Sequence, residues 1–162
     1  LLQREKAKKE KGYVLIKVNH LTDPGIITKL YDLADAGVKM DFIVRTTYAM
    51  KPHPNIRAIS ILDRYLEHQR IYIFGRGKER EVFLGSADLM ERNLDYRIEV
   101  AFPILHDKLM DYIWDLMILQ IADTAKARIL DETQSNAYVG HDGDDCRSQW
   151  TTRAYLAKLL EG

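Results

Sequence analysis

Apolar residues recur along this chain in two rhythms, one with a period of two and one with the period of a helix. From Tyr13 to Val18 the rhythm is that of a strand: Val14, Ile16 and Val18 face one way, Leu15 and Lys17 the other. Asp23-Pro24 is a helix start, a capping carboxylate followed by a proline whose missing N–H is not needed in the first turn. Ile26, Ile27, Leu30, Leu33 and Ala34 form the apolar stripe, and Gly37 suits the stop. Val38 to Arg45 reads as the next strand, with Val38, Met40, Phe42 and Val44 on one face. Strand, capped helix and strand with short connections make a βαβ unit, so the two strands are expected to be parallel and the fold class α/β.

Pro52 and Pro54 then mark a loop. Ala58 to Leu62, Ile71 to Phe74 and Val82 to Leu84 are short apolar runs that read as strands, with Gly75-Arg76-Gly77-Lys78 as the turn between the last two. Ser86 is placed to cap a short helix through Asn93, and the alternation of Tyr96, Ile98, Val100 and Phe102 predicts another strand. Asp107 to Ala127 reads as a long helix with Leu109, Tyr112, Ile113, Leu116 and Met117 on its buried stripe. Residues 131 to 147 are polar and irregular, and Ser148 to Leu160 reads as a terminal helix. At the other end, residues 3 to 11 are almost all charged or small. They suit a polar lead-in over residues 1–11, the solvated end of a truncated helix or a linker, before one domain over residues 12–162.

Composition narrows the function classes. A length of 162 residues with 46% hydrophobic residues suits one soluble domain with its own core. Formal net charge is zero, so no global field recruits an anion, and any polyanion site must come from local clustering of Lys and Arg. Cys146 is the sole cysteine and cannot form an internal disulfide, which fits a reducing, cytoplasmic compartment. No apolar run approaches the roughly 18 residues of a spanning helix. Leu1-Leu2-Gln3-Arg4-Glu5-Lys6 is too polar for a secretory signal, and without a leading Met the chain is expected to be a piece of a larger protein.

The candidate chemistry gathers around one histidine among arginines. An imidazole exchanges a proton near neutral pH, and guanidinium forks hold phosphate oxygens. His68-x-Arg70 followed by Gly85-Ser86 is similar to the phospholipase D signature of histidine, one residue, lysine and a later Gly-Ser pair, with Arg70 in the lysine's place. A lone histidine is more often structural than catalytic. Arg45 is expected to end a strand of the βαβ unit, where ligands of open α/β sheets collect, and Lys17 lies near the end of its neighbour; either could equally be a solvated cation. Arg92, Asn93 and Arg97 follow the Gly-Ser turn, where backbone N–H groups of Ser86 to Asp88 would meet an anion if a helix starts there. The alternative is a salt-bridge network in which Asp88 and Asp95 orient the arginines. Gly75-Arg76-Gly77-Lys78 lacks the spacing of a phosphate loop, and His141-Asp142-Gly143-Asp144-Asp145-Cys146 fits neither zinc nor calcium spacing, so both read as loops.

Longer segments carry a resemblance. They are Lys17-Val18-Asn19, Leu21-Thr22-Asp23-Pro24, Ile43-Val44-Arg45, Asn55-Ile56-Arg57-Ala58-Ile59-Ser60-Ile61, Tyr65-Leu66-Glu67-His68, Ser86-Ala87-Asp88, Arg92-Asn93-Leu94-Asp95 and Arg97-Ile98-Glu99-Val100. In this order they closely resemble the second C-terminal domain of the long-chain polyphosphate kinase family. The resemblance implies a phospholipase D-like mixed sheet flanked by helices. It implies a Mg²⁺-dependent, reversible transfer of the terminal phosphate of ATP onto polyphosphate, through a phosphohistidine in the preceding domain, so that this piece alone is expected to be inactive. His68 matches the family's second active-site histidine, at the nucleotide phosphates, and Arg45 its ATP-phosphate arginine; Lys17, Arg70, Ser86, Arg92, Asn93 and Arg97 are weaker candidates. The magnesium-linked arginines belong to the preceding domain.

The implied partners are ATP or ADP, polyphosphate and the remaining domains of the same polypeptide, in a homo-oligomer that is cytoplasmic or peripheral to the inner membrane, with no nucleic acid and no transmembrane segment. Two positions depart from the family pattern: Arg45-Thr46-Thr47-Tyr48 begins a shorter route to Asn55, and Leu89 stands where the family has tryptophan. A phospholipase D-superfamily phosphodiesterase and a non-catalytic nucleotide- or polyphosphate-binding module are the competing readings.

Overall fold

The computed structural model describes residues 1–140 and 146–161. A short helix α1 (Leu2–Lys8) leads into β1 (Tyr13–Leu21), α2 (Pro24–Asp35), β2 (Lys39–Tyr48), β3 (Ile56–Ile61), β4 (Ile71–Phe74) and β5 (Glu81–Gly85). Then come α3 (Glu91–Asp95), β6 (Ala101–Pro103), α4 (Asp107–Ile121), β7 (Ala127–Ile129) and α5 (Ser148–Glu161). The strands form one seven-stranded sheet in the order β6-β5-β4-β1-β2-β3-β7. β1, β2 and β3 run parallel, as the βαβ pattern requires, and every other pairing is antiparallel.

The period of two in the central strands divides the core between the faces of the sheet. Val14, Ile16 and Val18 pack with Met40, Phe42 and Val44 against Leu30, Leu33 and Ala34 of α2. Tyr13, Leu15, Ile43, Ile59 and Ile73 pack on the other face against Met117 and Ile121 of α4. Covered on both sides, β1 and β2 read as nearly continuous apolar runs. Each fully buried large side chain contributes about 1.5–3 kcal/mol. Local signals pin the crossover: Asp23 Oδ1 accepts from the Ile26 N–H at 2.7 Å, and Gly37 takes φ +97°, a conformation that side chains oppose.

Several elements differ from their predicted form. β1 and β2 extend to Leu21 and Tyr48 because their pairing resumes beyond an irregularity between Val18 and His20, with His20 opposite Thr47 and Leu21 opposite Tyr48. Arg45 and Lys17 therefore lie inside strands and not at their ends. α4 stops at Ile121 because Asp123 turns the chain, its Oδ1 accepting from the amides of Lys126 and Ala127, and Ala127–Ile129 joins the sheet beside β3. Its buried residues are Met117, Gln120 and Ile121, while Leu109 is exposed. The strand expected over residues 96–102 shrinks to Ala101–Pro103; Tyr96, Ile98 and Val100 lie on the surface, before the pairing with β5 begins.

Ser86 caps no helix. α3 starts at Glu91 after Met90, and the Ser86 hydroxyl is bonded to Glu99. In the polar lead-in, Glu5 is fully buried: its carboxylate takes the Tyr13 N–H at 3.1 Å and Lys8 Nζ at 2.9 Å. The loop over residues 141–145 lies outside the described residues.

Candidate functional site

On the α4 face the apolar rows of β1 and β2 turn polar toward their C-terminal ends. After Tyr13 and Leu15 the same face of β1 carries Lys17 and Asn19, and after Ile43 the same face of β2 carries Arg45. Lys17 is only 4% exposed and donates to the Glu67 carboxylate and to Gln120 Oε1 of α4. Burial pulls the Lys17 ammonium below its ordinary pKa; Glu67 opposes this shift, and the positive charge of Arg45 adds to it.

The segment before His68 is fastened from three directions. Arg147 grips Asp63 through Nε and Nη2 at 2.9 and 2.6 Å, and this fork, against some opposition from burial, holds the Asp63 carboxyl below its usual range. Gln149, at the start of α5, accepts the Tyr65 N–H at 3.0 Å and donates to the Tyr65 carbonyl at 2.8 Å and to Glu67 Oε1 at 3.0 Å. Arg45 Nη1 donates to the Glu67 carbonyl at 2.5 Å, while the Arg45 carbonyl accepts from Ser60 Oγ at 2.9 Å. The Arg45 guanidinium thus lies one peptide away from His68. The His68 side chain is exposed, and its imidazole makes no hydrogen bond among the described residues.

Arg70 follows two residues later and is committed elsewhere. Its Nη1 donates to the His68 carbonyl at 3.0 Å, and Nε and Nη2 reach Asp88 at 3.4 and 3.1 Å. Asp88 also accepts the amides of Asn19 and His20 at 2.7 and 3.3 Å. Burial alone would raise its pKa, but these donors, Arg70 first, outweigh it and hold the carboxyl below the usual range. Tyr72 ties down the same loop through the Ala87 carbonyl at 2.6 Å; burial first, and then Asp88, pushes its phenol up to about 12.

The remaining candidates separate from this group. Ser86 and Asn93 both donate to the Glu99 carboxylate, Asn93 at 2.6 Å, and Ser86 N–H pairs with the Val100 carbonyl at 2.9 Å. These residues shape the loop after β5 and offer no helix N-terminus to an anion. Arg92 and Arg97 are exposed on α3 and on the loop beyond it. Sequence reasoning missed Glu67, Gln120 and Gln149 as members of the cluster. Lys17, a cation inside an apolar strand, was the available signal that a buried acceptor had to exist.

Ion pairing decides what stays available. Lys17 is matched by Glu67 and Arg70 by Asp88, whereas Arg45 has no carboxylate partner among the described residues. An open cleft of about 690 Å³ lies between residues 46–51 and 129–136, walled in part by the Lys51–Glu132 pair at 3.1 Å, and neither Arg45 nor His68 lines it. The shortened segment noted in the sequence forms one of its sides. Among the described residues no three His, Cys, Asp or Glu side chains come together as a metal site.

The pattern described as polyphosphate kinase C-terminal domain 2 matches residues 2–149. The chain belongs to the polyphosphate kinase family. It is 44% identical over 147 residues to the polyphosphate kinase of Salmonella typhimurium, a match covering 86% of this chain and 21% of that protein. The chain therefore spans about a fifth of the length of this relative. The crystal structure of polyphosphate kinase from Porphyromonas gingivalis superposes with a TM-score of 0.94 at 39% identity, over 99% of this chain and 26% of that one. A phospholipase D family member, Nuc from Salmonella typhimurium, superposes with a TM-score of 0.57 at 12% identity, over 80% of this chain and 91% of that one. That second likeness is one of fold, and it bears out the phospholipase D-like mixed sheet. No helix among the described residues is long and apolar enough to cross a membrane.

Proposed function

We propose that this chain serves as the second C-terminal domain of a cytoplasmic ATP:polyphosphate phosphotransferase. In this reading a histidine of the preceding domain attacks the γ-phosphorus of ATP. The bond from that phosphorus to the bridging oxygen breaks, and ADP leaves. The phosphoryl group then passes to the end of a polyphosphate chain, and every step is reversible. Arg45 holds nucleotide phosphate oxygens with the part of its donor fork that the Glu67 carbonyl leaves free. His68, as the imidazolium, stabilises or protonates the departing oxygen, a role that typically contributes about 10²–10⁴-fold. Mg²⁺ would neutralise phosphate charge and is assigned to the other domains. The remaining domains of the polypeptide, in a homo-oligomer, complete the site.

The observation that carries this reading is the pattern of pairing. Carboxylates occupy Lys17 and Arg70, while Arg45, anchored one peptide from the exposed His68, has no carboxylate partner among the described residues. The same pattern speaks against a phosphodiesterase of the phospholipase D type, because Arg70, in the lysine's position, is spent on Asp88. The test is His68→Ala in the complete kinase. Polyphosphate synthesis is expected to fall about 10²–10⁴-fold with the fold intact by circular dichroism. Wild-type turnover would refute the role of His68, and phosphohistidine forming on the 162-residue chain with ATP alone would mean that the nucleophile lies here.

A further inference from the structure

Glu67 is where β1, β2 and α5 meet. Its Oε2 faces Lys17 of β1, its Oε1 accepts from Gln149 of α5 at 3.0 Å, and its own carbonyl accepts from Arg45 of β2 at 2.5 Å. The side chain is 17% exposed and its Lys17 partner 5%. Resting on the kinase reading, we propose that Glu67 is a positioning residue, one that sets the place of His68 relative to Arg45 without touching substrate.

Position 67 demands a carboxylate. Gln149 cannot turn its amide around, because its oxygen already takes the Tyr65 N–H while its nitrogen serves the Tyr65 carbonyl. It therefore presents N–H to position 67, and Lys17, with no acceptor atom of its own, does the same. Two donors call for two acceptor oxygens. A glutamine at position 67 must turn its NH₂ toward one of them, and a donor facing a donor pushes the segment away. The neighbouring peptide carries His68 on one side and the carbonyl that orients Arg45 on the other. Arg45 is also held through its own strand and by Ser60, so the greater displacement falls on His68. A misplacement of about 1 Å at a reacting group costs up to about 10²-fold in rate.

The experiment compares wild type, Glu67→Gln, Gln149→Ala and His68→Ala in the complete polyphosphate kinase, with melting and amide exchange measured on the 162-residue chain. Glu67→Gln is expected to lower kcat for polyphosphate synthesis about 10–100-fold, with KM for ATP changed by less than about threefold. Exchange of the Tyr65 amide should quicken at least about tenfold, while Tm falls by about 6–12 °C, as for a buried pair that loses one partner. Gln149→Ala, which leaves the Lys17 pair intact, is expected to lower kcat in the same direction by a smaller factor, and it decides the matter should Glu67→Gln fail to fold. Wild-type kcat in Glu67→Gln beside an inactive His68→Ala would overturn the positioning role and leave the kinase reading standing. A fall in kcat matched by a proportionate rise in KM and a loss of Tm well beyond about 12 °C would also overturn it, as general unfolding. Wild-type turnover in His68→Ala would overturn the kinase reading and the role of Glu67 with it.

Discussion

Asp88→Asn isolates the ion pair that holds the loop after β5 against the end of β1. The Asp88 side chain is 7% exposed and that of Arg70 21%, and the carboxylate accepts from two guanidinium nitrogens and two backbone amides. Asparagine keeps the volume but supplies one acceptor oxygen and turns an NH₂ group toward those donors. Removing one partner of a buried pair costs about 3–5 kcal/mol; Arg70 keeps some access to water, which places this loss near the lower end, at about 3 kcal/mol. For a chain of this size each kcal/mol moves Tm by about 2–4 °C, so Tm should fall by about 6–12 °C.

The pH dependence has a definite sign. Despite its burial, Asp88 titrates below the usual range in the folded protein because Arg70 and the amides favour its charged form. Its contribution is fully present above the unfolded aspartate pKa of about 3.9 and is lost as pH falls through the lower folded value. Urea unfolding followed by circular dichroism should show a gap between wild type and Asp88→Asn that is constant from about pH 7 to about pH 5 and narrows below about pH 4. A gap under about 0.5 kcal/mol at neutral pH, or one that persists undiminished to about pH 2.5, would refute the reasoning.

Two further outcomes test other parts of the structure. Asp23→Ala removes the cap of α2 and should cost about 1 kcal/mol, read as a Tm lower by about 2–4 °C; no change would mean that the 2.7 Å bond to Ile26 contributes nothing in solution. Arg45→Ala should weaken polyphosphate binding in a titration of the chain and make the slope of log K against log salt shallower by about one, whereas an unchanged slope would remove Arg45 from the phosphate path.

Asp23, Pro24 and Gly37, the alternation in β1 and the stripe of α2 are local signals: each depends on neighbours within a turn or a strand, and each was legible in one dimension. The resemblance segments brought out His68 and Arg45 as candidates in the same way. Reading failed where an element's fate depended on what lay across from it. Tyr96, Ile98 and Val100 alternate like a strand, but β5 offers them no partner, and Ala127, the last residue of the expected helix, instead opens β7 and pairs with β3.

The candidate site divides along the same line. Its residue types, a histidine and a set of cations, were determined by the sequence alone. Which cations are neutralised and which remain for a ligand was decided only by the tertiary structure. Lys17 meets Glu67 from 50 residues away, and Glu67 meets Gln149 from 82. Charge pairing inside a protein depends on distance and burial, and neither follows from sequence spacing once the chain has folded back on itself.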